Sequence, residues 1–176
     1  MFIESYQAEE QAVLNVAYSI CAAARTAPKG KGLDYIETAI LTGEDKSRIV
    51  DEMNRIGDAA GAPSFNRDAL NVDVSNVVVL VGVRNASRGL NAVCRLCGFE
   101  DCAACFAAGS TCVFASLDLG IAVGSAVSLA MDHRIDNRIM FTIGKAASTL
   151  GMMPECKVIM GIPLSVSGKS PFFDRG

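Results

Sequence analysis

The sequence predicts a single α/β (α+β) domain of three layers, in which helices flank a small sheet. The chain has 176 residues, a length that suits one domain. Apolar residues make up 51% of it, enough for a sizeable core, whereas aromatic residues make up 6% and Trp is absent. Three strand-like runs alternate with about four helical patterns, an order typical of layered folds.

The N-terminal elements are predicted from hydrophobic periodicity. Apolar residues recur at helical spacing over 6–26, and this helix ends at Pro28 and the Lys-Gly-Lys-Gly run 29–32. A strand is predicted over 35–41. Thr42 can cap the helix that follows, because its hydroxyl can accept a hydrogen bond from the first turn.

The later elements follow the same reasoning. Residues 57–75 hold several Gly, Asn and Asp, so this stretch is predicted to be mostly loop with at most one short helix. The run 76–83 (NVVVLVGV) is the clearest strand, and its continuous apolar character implies burial on both faces. Helices are predicted over 115–131 and 136–150, and a third strand over 157–162.

Charge and hydropathy exclude several classes of partner. Sixteen basic residues oppose nineteen acidic ones, so the chain lacks the basic footprint that nucleic-acid binding requires. Residues 1–10 carry three Glu and no cationic region, unlike a secretory signal. The apolar run 117–131 contains Asp118 and is shorter than the roughly 20 residues of a bilayer span. We therefore expect a cytoplasmic protein without nucleic acid or membrane as partner.

A cysteine cluster dominates the middle of the chain. Five of the seven cysteines lie within nineteen residues: Cys94, Cys97, Cys102, Cys105 and Cys112. Clustered cysteines without an export signal indicate a metal site in a reducing compartment, because a disulfide scaffold would spread its cysteines along the chain. Segment 94–112 is thus predicted to bind a metal. Cys21 and Cys156 lie in apolar surroundings and are expected to be ordinary buried residues.

The spacing of these cysteines favours an iron–sulfur cluster. Tetrahedral zinc usually joins two Cys-x-x-Cys pairs across a longer spacer than the four residues between Cys97 and Cys102. A four-iron cluster is larger, so its ligands can lie further apart along a compact loop. The favoured centre is a 4Fe-4S cluster on Cys94, Cys97, Cys102 and Cys112, with Cys105 as a spare. Zinc and free or redox-switching thiols are the alternatives.

Two stretches carry a family resemblance. The cysteine string is similar to the short four-iron motif of ferredoxin-like domains. The stretches DLGIAVGSAVSLAMDHRIDNRIMFTIGKAASTLGM and GIPLSVSGKSPFFDR resemble a prokaryotic family of uncharacterised proteins containing a ferredoxin domain, over nearly the whole chain. This resemblance implies an iron–sulfur centre and no particular activity.

A weaker resemblance links the chain to the flavin-dependent nitroreductases. AAARTAPK (22–29) and the following EDKSRIVDEMNRIG look like the segment near the flavin, and KAASTLGM with KVIMGIPLS look like the final helix and strand. The resemblance implies a nitroreductase-like sheet and bound flavin mononucleotide (FMN). The chain departs from that family in lacking the Arg-Arg-Ser phosphate signature, and in carrying Lys-Gly-Lys-Gly after the Ala-Pro.

Two groups of residues are candidates for binding the FMN phosphate. Fixed positive charge beside exposed backbone N–H groups binds anions well. One group lies at the break after the first helix and the other in the C-terminal tail: Arg25, Lys29 and Gly30, and Gly168, Lys169 and Arg175. The nitroreductase resemblance implies that the two groups meet. Solvated loop charges are the alternative interpretation.

Three further features bear on function. Gly120, Gly124 and Ser128 follow one another at four-residue spacing on the apolar helix, which indicates either tight core packing or a homodimer interface. His133 lies in a charged connection and is expected at the surface rather than as a catalytic base. No catalytic residue can be assigned. The sequence therefore predicts a homodimeric iron–sulfur oxidoreductase or electron-transfer protein with an unknown substrate or electron partner; the alternative is a non-enzymatic metal-binding module.

Overall fold

Helices cover both faces of a four-stranded antiparallel sheet in the structure, a computed structural model that describes residues 1–173. The strands lie in the order β1-β2-β4-β3. The helices are α1 (Ser5–Thr26), α2 (Gly43–Ala60), α3 (Pro63–Asp73), α4 (Cys102–Ala107), α5 (Val113–Asp132) and α6 (Phe141–Thr149). The strands are β1 (Ile36–Leu41), β2 (Val77–Arg84), β3 (Asp136–Asn137) and β4 (Cys156–Ser165), and 3-10 turns span Gly30–Gly32 and Asn91–Val93. The predicted fold class is confirmed.

Strand β2 forms the centre of the sheet. It pairs with β1 on one side and β4 on the other, and all but its last residue are buried. Alternate side chains enter two separate cores: Val77, Val79, Val81 and Val83 point to one, and Val78 and Leu80 to the other. The predicted burial on both faces is therefore correct, and it arises in an antiparallel sheet with helices on each side.

Each face of the sheet carries its own helical layer. Helices α1 and α5 cover the first face, and α2, α3 and α6 cover the second. The second layer approaches the sheet closely at Gly144 of α6, where a Cβ would lie only 1.8 Å from the Ile159 carbonyl oxygen of β4. Only glycine fits there, so this contact fixes the height of α6 above the sheet.

Residues 57–75 are mostly helical, and the prediction of a loop there is wrong. Helix α2 continues to Ala60, and Gly61 ends it in a left-handed conformation (φ 60°). Gly57 does not mark a turn but allows α3 to pack closely against α2, because a Cβ there would lie 2.3 Å from Oδ1 of Asn66 on α3. Pro63 opens α3 in the first turn, where proline is tolerated.

The C-terminal half differs from prediction at one helix. The predicted helix over 136–150 starts only at Phe141, because Asp136 and Asn137 pair with the end of β4 as the edge strand β3. Met140 and Gly161 then exchange two backbone hydrogen bonds, at 2.8 and 3.0 Å. Their pairing with β4 holds residues 136–140 extended.

Helix α5 lies against α1 and the first face of the sheet. Among residues 1–173 it is the one helix long and apolar enough to cross a membrane by length and composition. Seven of its residues are buried, as predicted for a core helix. Gly120 and Gly124 lie on the exposed face, where an added Cβ would meet no atom within 4 Å. Tight packing inside the chain therefore does not explain these two glycines.

Candidate metal centre

The cysteine segment leaves the sheet after β2 and returns at the start of α5. Asn85, the first residue after β2, joins the two ends. Its Nδ2 donates a hydrogen bond to the Ser110 carbonyl at 2.9 Å, and its Oδ1 accepts one from the Cys112 N–H at 3.3 Å. One side chain thus closes the segment into a loop beside the sheet.

Tight turns shape the first half of this loop. Asn91, Arg95 and Gly98 all have left-handed φ values, of 46°, 48° and 83°. The Gly98 N–H donates to the Arg95 carbonyl at 3.0 Å, and the Cys94 N–H donates to the Asn91 carbonyl at 3.2 Å. Such conformations are costly for residues other than glycine and concentrate at functional sites. They turn the backbone sharply around Cys94 and Cys97.

The second half of the loop contains helix α4. Asp101 caps this helix, because its Oδ1 accepts a hydrogen bond from the Ala104 N–H at 2.8 Å. Cys102 is the first residue of α4 and Cys105 lies one turn later. Cys105 is fully buried, whereas Cys102 is partly exposed. The two thiols of this Cys-x-x-Cys pair therefore occupy different environments.

Four of the five clustered cysteines line one small cavity. The lining thiols belong to Cys94, Cys97, Cys102 and Cys112, and the wall is completed by Asn91, Arg95, Phe99, Asp101 and Val113. Cys105 is not among the lining residues. The cysteines that line the cavity are therefore the four that the spacing favours as ligands, and Cys105, the predicted spare, is not among them.

This donor set fits a cluster better than a single ion. Within residues 1–173, no three His, Cys, Asp or Glu side chains lie close enough together to hold one metal ion. Zinc binds thiolates at about 2.3 Å, so its four sulfurs must nearly touch. A four-iron cluster is larger than an ion, so its four thiolates can lie further apart than those of a zinc ion.

The surroundings of Cys102 and Cys105 shift the pKa values of the two thiols in opposite directions. A hydrogen bond with the Ser87 hydroxyl, followed by one with the Asn91 backbone, lowers the pKa of Cys102. Burial, followed by a hydrogen bond with the neighbouring Cys97 thiol, raises the pKa of Cys105. The two thiols of this Cys-x-x-Cys pair therefore differ in how readily they lose a proton.

A buried ion pair lies between the cysteine segment and the sheet. The Arg88 guanidinium binds Asp118 of α5, with Nη2 at 2.5 Å and Nε at 3.1 Å from Oδ2, and both side chains are almost fully buried. The guanidinium lies 4.7 Å from the centre of the Tyr35 ring. The other oxygen, Oδ1 of Asp118, accepts the Gly30 N–H at 2.9 Å. The pair thus joins three segments that are distant in sequence.

Sequence reasoning missed this ion pair, although a signal for it exists. Asp118 is the only charged residue in an otherwise apolar helical stretch, 113–131. A carboxylate in such a position is rarely buried without a cationic partner. Its partner, Arg88, is thirty residues away, and periodicity within the helix cannot identify it.

Arg25 and Lys29, two of the predicted FMN-phosphate residues, are bound within the chain. Nη1 of Arg25 lies 2.6 Å from Oδ2 of Asp34. The Lys29 side chain is 6% exposed, and its Nζ binds the Ala24 and Arg25 carbonyls at the end of α1 and lies 3.8 Å from Asp34 Oδ1. The structure therefore brings Arg25, Lys29 and Gly30 together, but Asp34 neutralises the two cations.

The tail residues lie elsewhere. Gly168 and Lys169 follow the end of β4, and this end of β4 pairs with the start of β2. Arg25 and Lys29 precede β1, and the start of β1 pairs with the end of β2. The eight residues of β2 separate these ends by about 26 Å. Phe172 enters the core beneath α2, α3 and α6, on the opposite face from α5. Gly168 and Lys169 therefore lie apart from Arg25 and Lys29 within one chain, and Arg175 lies outside the described residues.

Three remaining sequence-predicted residues have simple surroundings. His133 follows α5 and is exposed, as expected. Cys21 and Cys156 are half-buried rather than fully buried, and burial raises the pKa of both thiols. Neither of them lines the cysteine cavity.

Comparison with known structures confirms the nitroreductase-like fold. Nitroreductase CinD from Lactococcus lactis, solved in complex with nicotinic acid, aligns with a TM-score of 0.59 over 92% of this chain and 84% of that chain, at 17% identity. The FMN and NADPH-dependent nitroreductase NfnB from Sphigopyxis sp. strain HMH aligns with a TM-score of 0.60 over 90% of this chain and 81% of that chain, at 12% identity. Identities this low support a shared fold alone.

Comparison by sequence identifies the family. The family described as "Uncharacterized protein containing a ferredoxin domain" (DUF2148) matches residues 108–175, a region that includes only Cys112 of the clustered cysteines. A protein of Archaeoglobus fulgidus, described as an uncharacterized protein, is 39% identical over 99% of this chain and 98% of its own length. This chain therefore belongs to the family of uncharacterized proteins that contain a ferredoxin domain.

Proposed function

We propose that the chain is an iron–sulfur redox protein in which Cys94, Cys97, Cys102 and Cys112 hold a 4Fe-4S cluster. The observation that carries this proposal is the presence of these four thiols around one cavity. The family description names a ferredoxin domain, and the structural neighbours named above are oxidoreductases. Both relations support an electron-transfer role.

The loop is suited to exchange electrons with a partner. All four lining cysteines are partly exposed, so the centre they hold lies near the surface. Phe99 and Val113 line the cavity beside the thiols, and apolar walls limit the access of water and so influence the reduction potential. When bound, the cluster accepts and donates single electrons. All seven cysteines are free, which supports a reducing compartment such as the cytoplasm.

Metal analysis of anaerobically purified protein tests this function. We expect about four iron and four acid-labile sulfide per chain, the content of a four-iron cluster. The visible absorption should bleach on reduction and return on reoxidation. A cluster that cannot be reduced would indicate a structural role, and stoichiometric zinc without sulfide would refute the proposal.

We further propose FMN as a second cofactor, bound near Arg25 and Lys29. The nitroreductase-like fold supports it, since one structural neighbour is described as FMN-dependent. Because Asp34 holds both cations, the FMN phosphate must compete with this carboxylate. Asp34 also accepts the Ile36 N–H at 3.0 Å, a bond that an amide oxygen can preserve.

Asp34→Asn is therefore expected to tighten FMN binding. The Arg25–Asp34 pair is partly exposed, and Arg25 keeps a second contact with Glu37 at 3.7 Å. An exposed ion pair contributes about 0.2–1 kcal/mol, so the substitution should lower the dissociation constant by up to about fivefold. Arg25→Ala should weaken binding. Fluorescence titration of cluster-loaded protein measures both, with the exposed Arg48→Ala as control. Binding that neither variant changes would place FMN elsewhere, and no binding at all would remove FMN from the proposal.

We also propose that the protein is a homodimer formed through α5. The exposed face of this helix carries large apolar side chains, among them Leu117, Ile121 and Met131. Gly120 and Gly124 lie on the same face and have open space beyond them. A second copy of α5 could approach closely there.

A further inference from the structure

The four candidate ligands come from two halves of the loop between β2 and α5. Cys94 and Cys97 belong to the first half, residues 85–98, whereas Cys102 and Cys112 belong to the second half, residues 99–112. The backbone hydrogen bonds inside each half join residues that are close in sequence. They shape each half without connecting it to the other, so a different contact must bring the two pairs of thiols to one cavity.

The side chain of Asn85 makes the connection between the two halves. An asparagine amide can donate and accept hydrogen bonds at once, and here it does both, with the Ser110 carbonyl and the Cys112 N–H. Apart from contacts of the thiols themselves, no other hydrogen bond within residues 1–173 connects residues 86–98 to residues 99–112. One amide therefore closes the base of the loop.

We propose that Asn85 is a positioning residue that keeps the four thiols around one cavity while the cluster is absent, and so controls how readily the cluster is assembled and lost. The inference rests on the proposed iron–sulfur function. Bringing together the ends of a flexible loop costs conformational entropy. A cluster that had to close this loop by itself would bind less tightly, because that cost would reduce its binding free energy. With Asn85 in place, the loop is closed before the cluster arrives.

Asn85 is suited to this role because the backbone is fixed on both sides of its amide. It directly follows β2, where the Arg84 N–H donates to the Tyr35 carbonyl at 3.0 Å. Cys112 is the N-cap residue of α5, and its carbonyl accepts the Ala115 N–H at 2.9 Å. An N–H at the start of a helix has no acceptor within the helix, and Asn85 supplies one for Cys112. The amide thus joins the central strand to the start of a core helix.

Release of iron from anaerobically loaded protein to the chelator bathophenanthroline disulfonate tests the inference. Asn85→Leu keeps the approximate volume of the side chain and removes both polar groups. It should release iron roughly tenfold faster than the wild type, the effect of two neutral hydrogen bonds of ordinary strength. Asn76→Ala is the matched control, because Asn76 also accepts a backbone N–H, that of Val166 at 3.5 Å, but beside the opposite end of β2. Its rate should equal that of the wild type.

Hydrogen exchange of the full, metal-free chain separates positioning from a general effect on stability. In the wild type, the peptide that contains Cys112 should exchange slowly, because its N–H is bonded to Asn85. In Asn85→Leu the same peptide should lose its protection, whereas peptides from β2 and β4 should exchange as in the wild type. An equal loss of protection in the strands would indicate general destabilisation and would overturn the positioning role.

The outcomes separate this inference from the function on which it rests. Iron release from Asn85→Leu at the wild-type rate would overturn the inference, as would a metal-free wild type in which the Cys112 peptide is already unprotected. Both results would leave the iron–sulfur assignment intact, because the wild-type protein would still hold iron and sulfide. Wild-type protein without iron and sulfide would instead refute the proposed function, and this inference with it.

Discussion

Serine substitution of any cavity-lining cysteine is expected to remove most of the iron and sulfide. The four positions are Cys94, Cys97, Cys102 and Cys112. A serine hydroxyl stays protonated near neutral pH, and a four-iron cluster needs a thiolate on each iron. Cys105 is not among the lining residues, although its thiol neighbours that of Cys97, so the loss should be least complete for Cys97→Ser. Iron and sulfide analysis after anaerobic purification measures the loss.

Cys105→Ser and Cys156→Ser are the controls in this series. Cys105 lies outside the lining, and burial raises the pKa of its thiol. Cys156 is the first residue of β4 and does not line the cavity. Both variants should retain the full centre. If Cys105→Ser lost the cluster while Cys97→Ser retained it, Cys105 would be the ligand and Cys97 the spare.

The elements that sequence predicted well are those whose pattern is local. Apolar residues recur every three to four positions in α1, and β2 is apolar throughout. Each pattern predicts the type of its own element. Position 57 shows where such reasoning fails. A glycine at this position favours a loop, yet it lies inside α2 because Asn66 of the next helix occupies the space where its Cβ would be. The cause is a contact between two helices, which a single stretch of sequence does not contain.

The same distinction applies to the candidate site. Cysteine spacing favours four residues as ligands, and the same four residues line the cavity. Spacing along the chain does not show which charged side chains pair with one another. Asp34 binds two cations that precede it by five and nine residues, and Arg88 binds Asp118 across thirty. Which charge is free for a ligand depends on these pairings, and only the folded chain determines them.

The dimer proposal rests on the apolar character of the exposed face of α5. Leu117, Ile121 and Met131 are 50%, 47% and 57% exposed and recur at spacings that place them on one side of the helix. A neighbouring groove between α5 and β4, lined in part by Val123 and Met160, continues the apolar surface. Burying such a side chain stabilises an interface by up to about 1.5–3 kcal/mol. In a dimer with two-fold symmetry, each such contact would occur twice.

Ile121→Glu is therefore expected to convert a stable dimer into a monomer. The substitution would bury two carboxylates, one from each copy, in an apolar interface, and neither would have a cationic partner on the α5 face. Light scattering coupled to gel filtration at micromolar concentration measures the mass. Leu70→Glu is the matched control, because Leu70 is 68% exposed on α3, on the opposite face of the sheet, and should leave the dimer intact. A monomeric wild-type protein, or an Ile121→Glu protein that remains dimeric, would contradict an interface formed by α5.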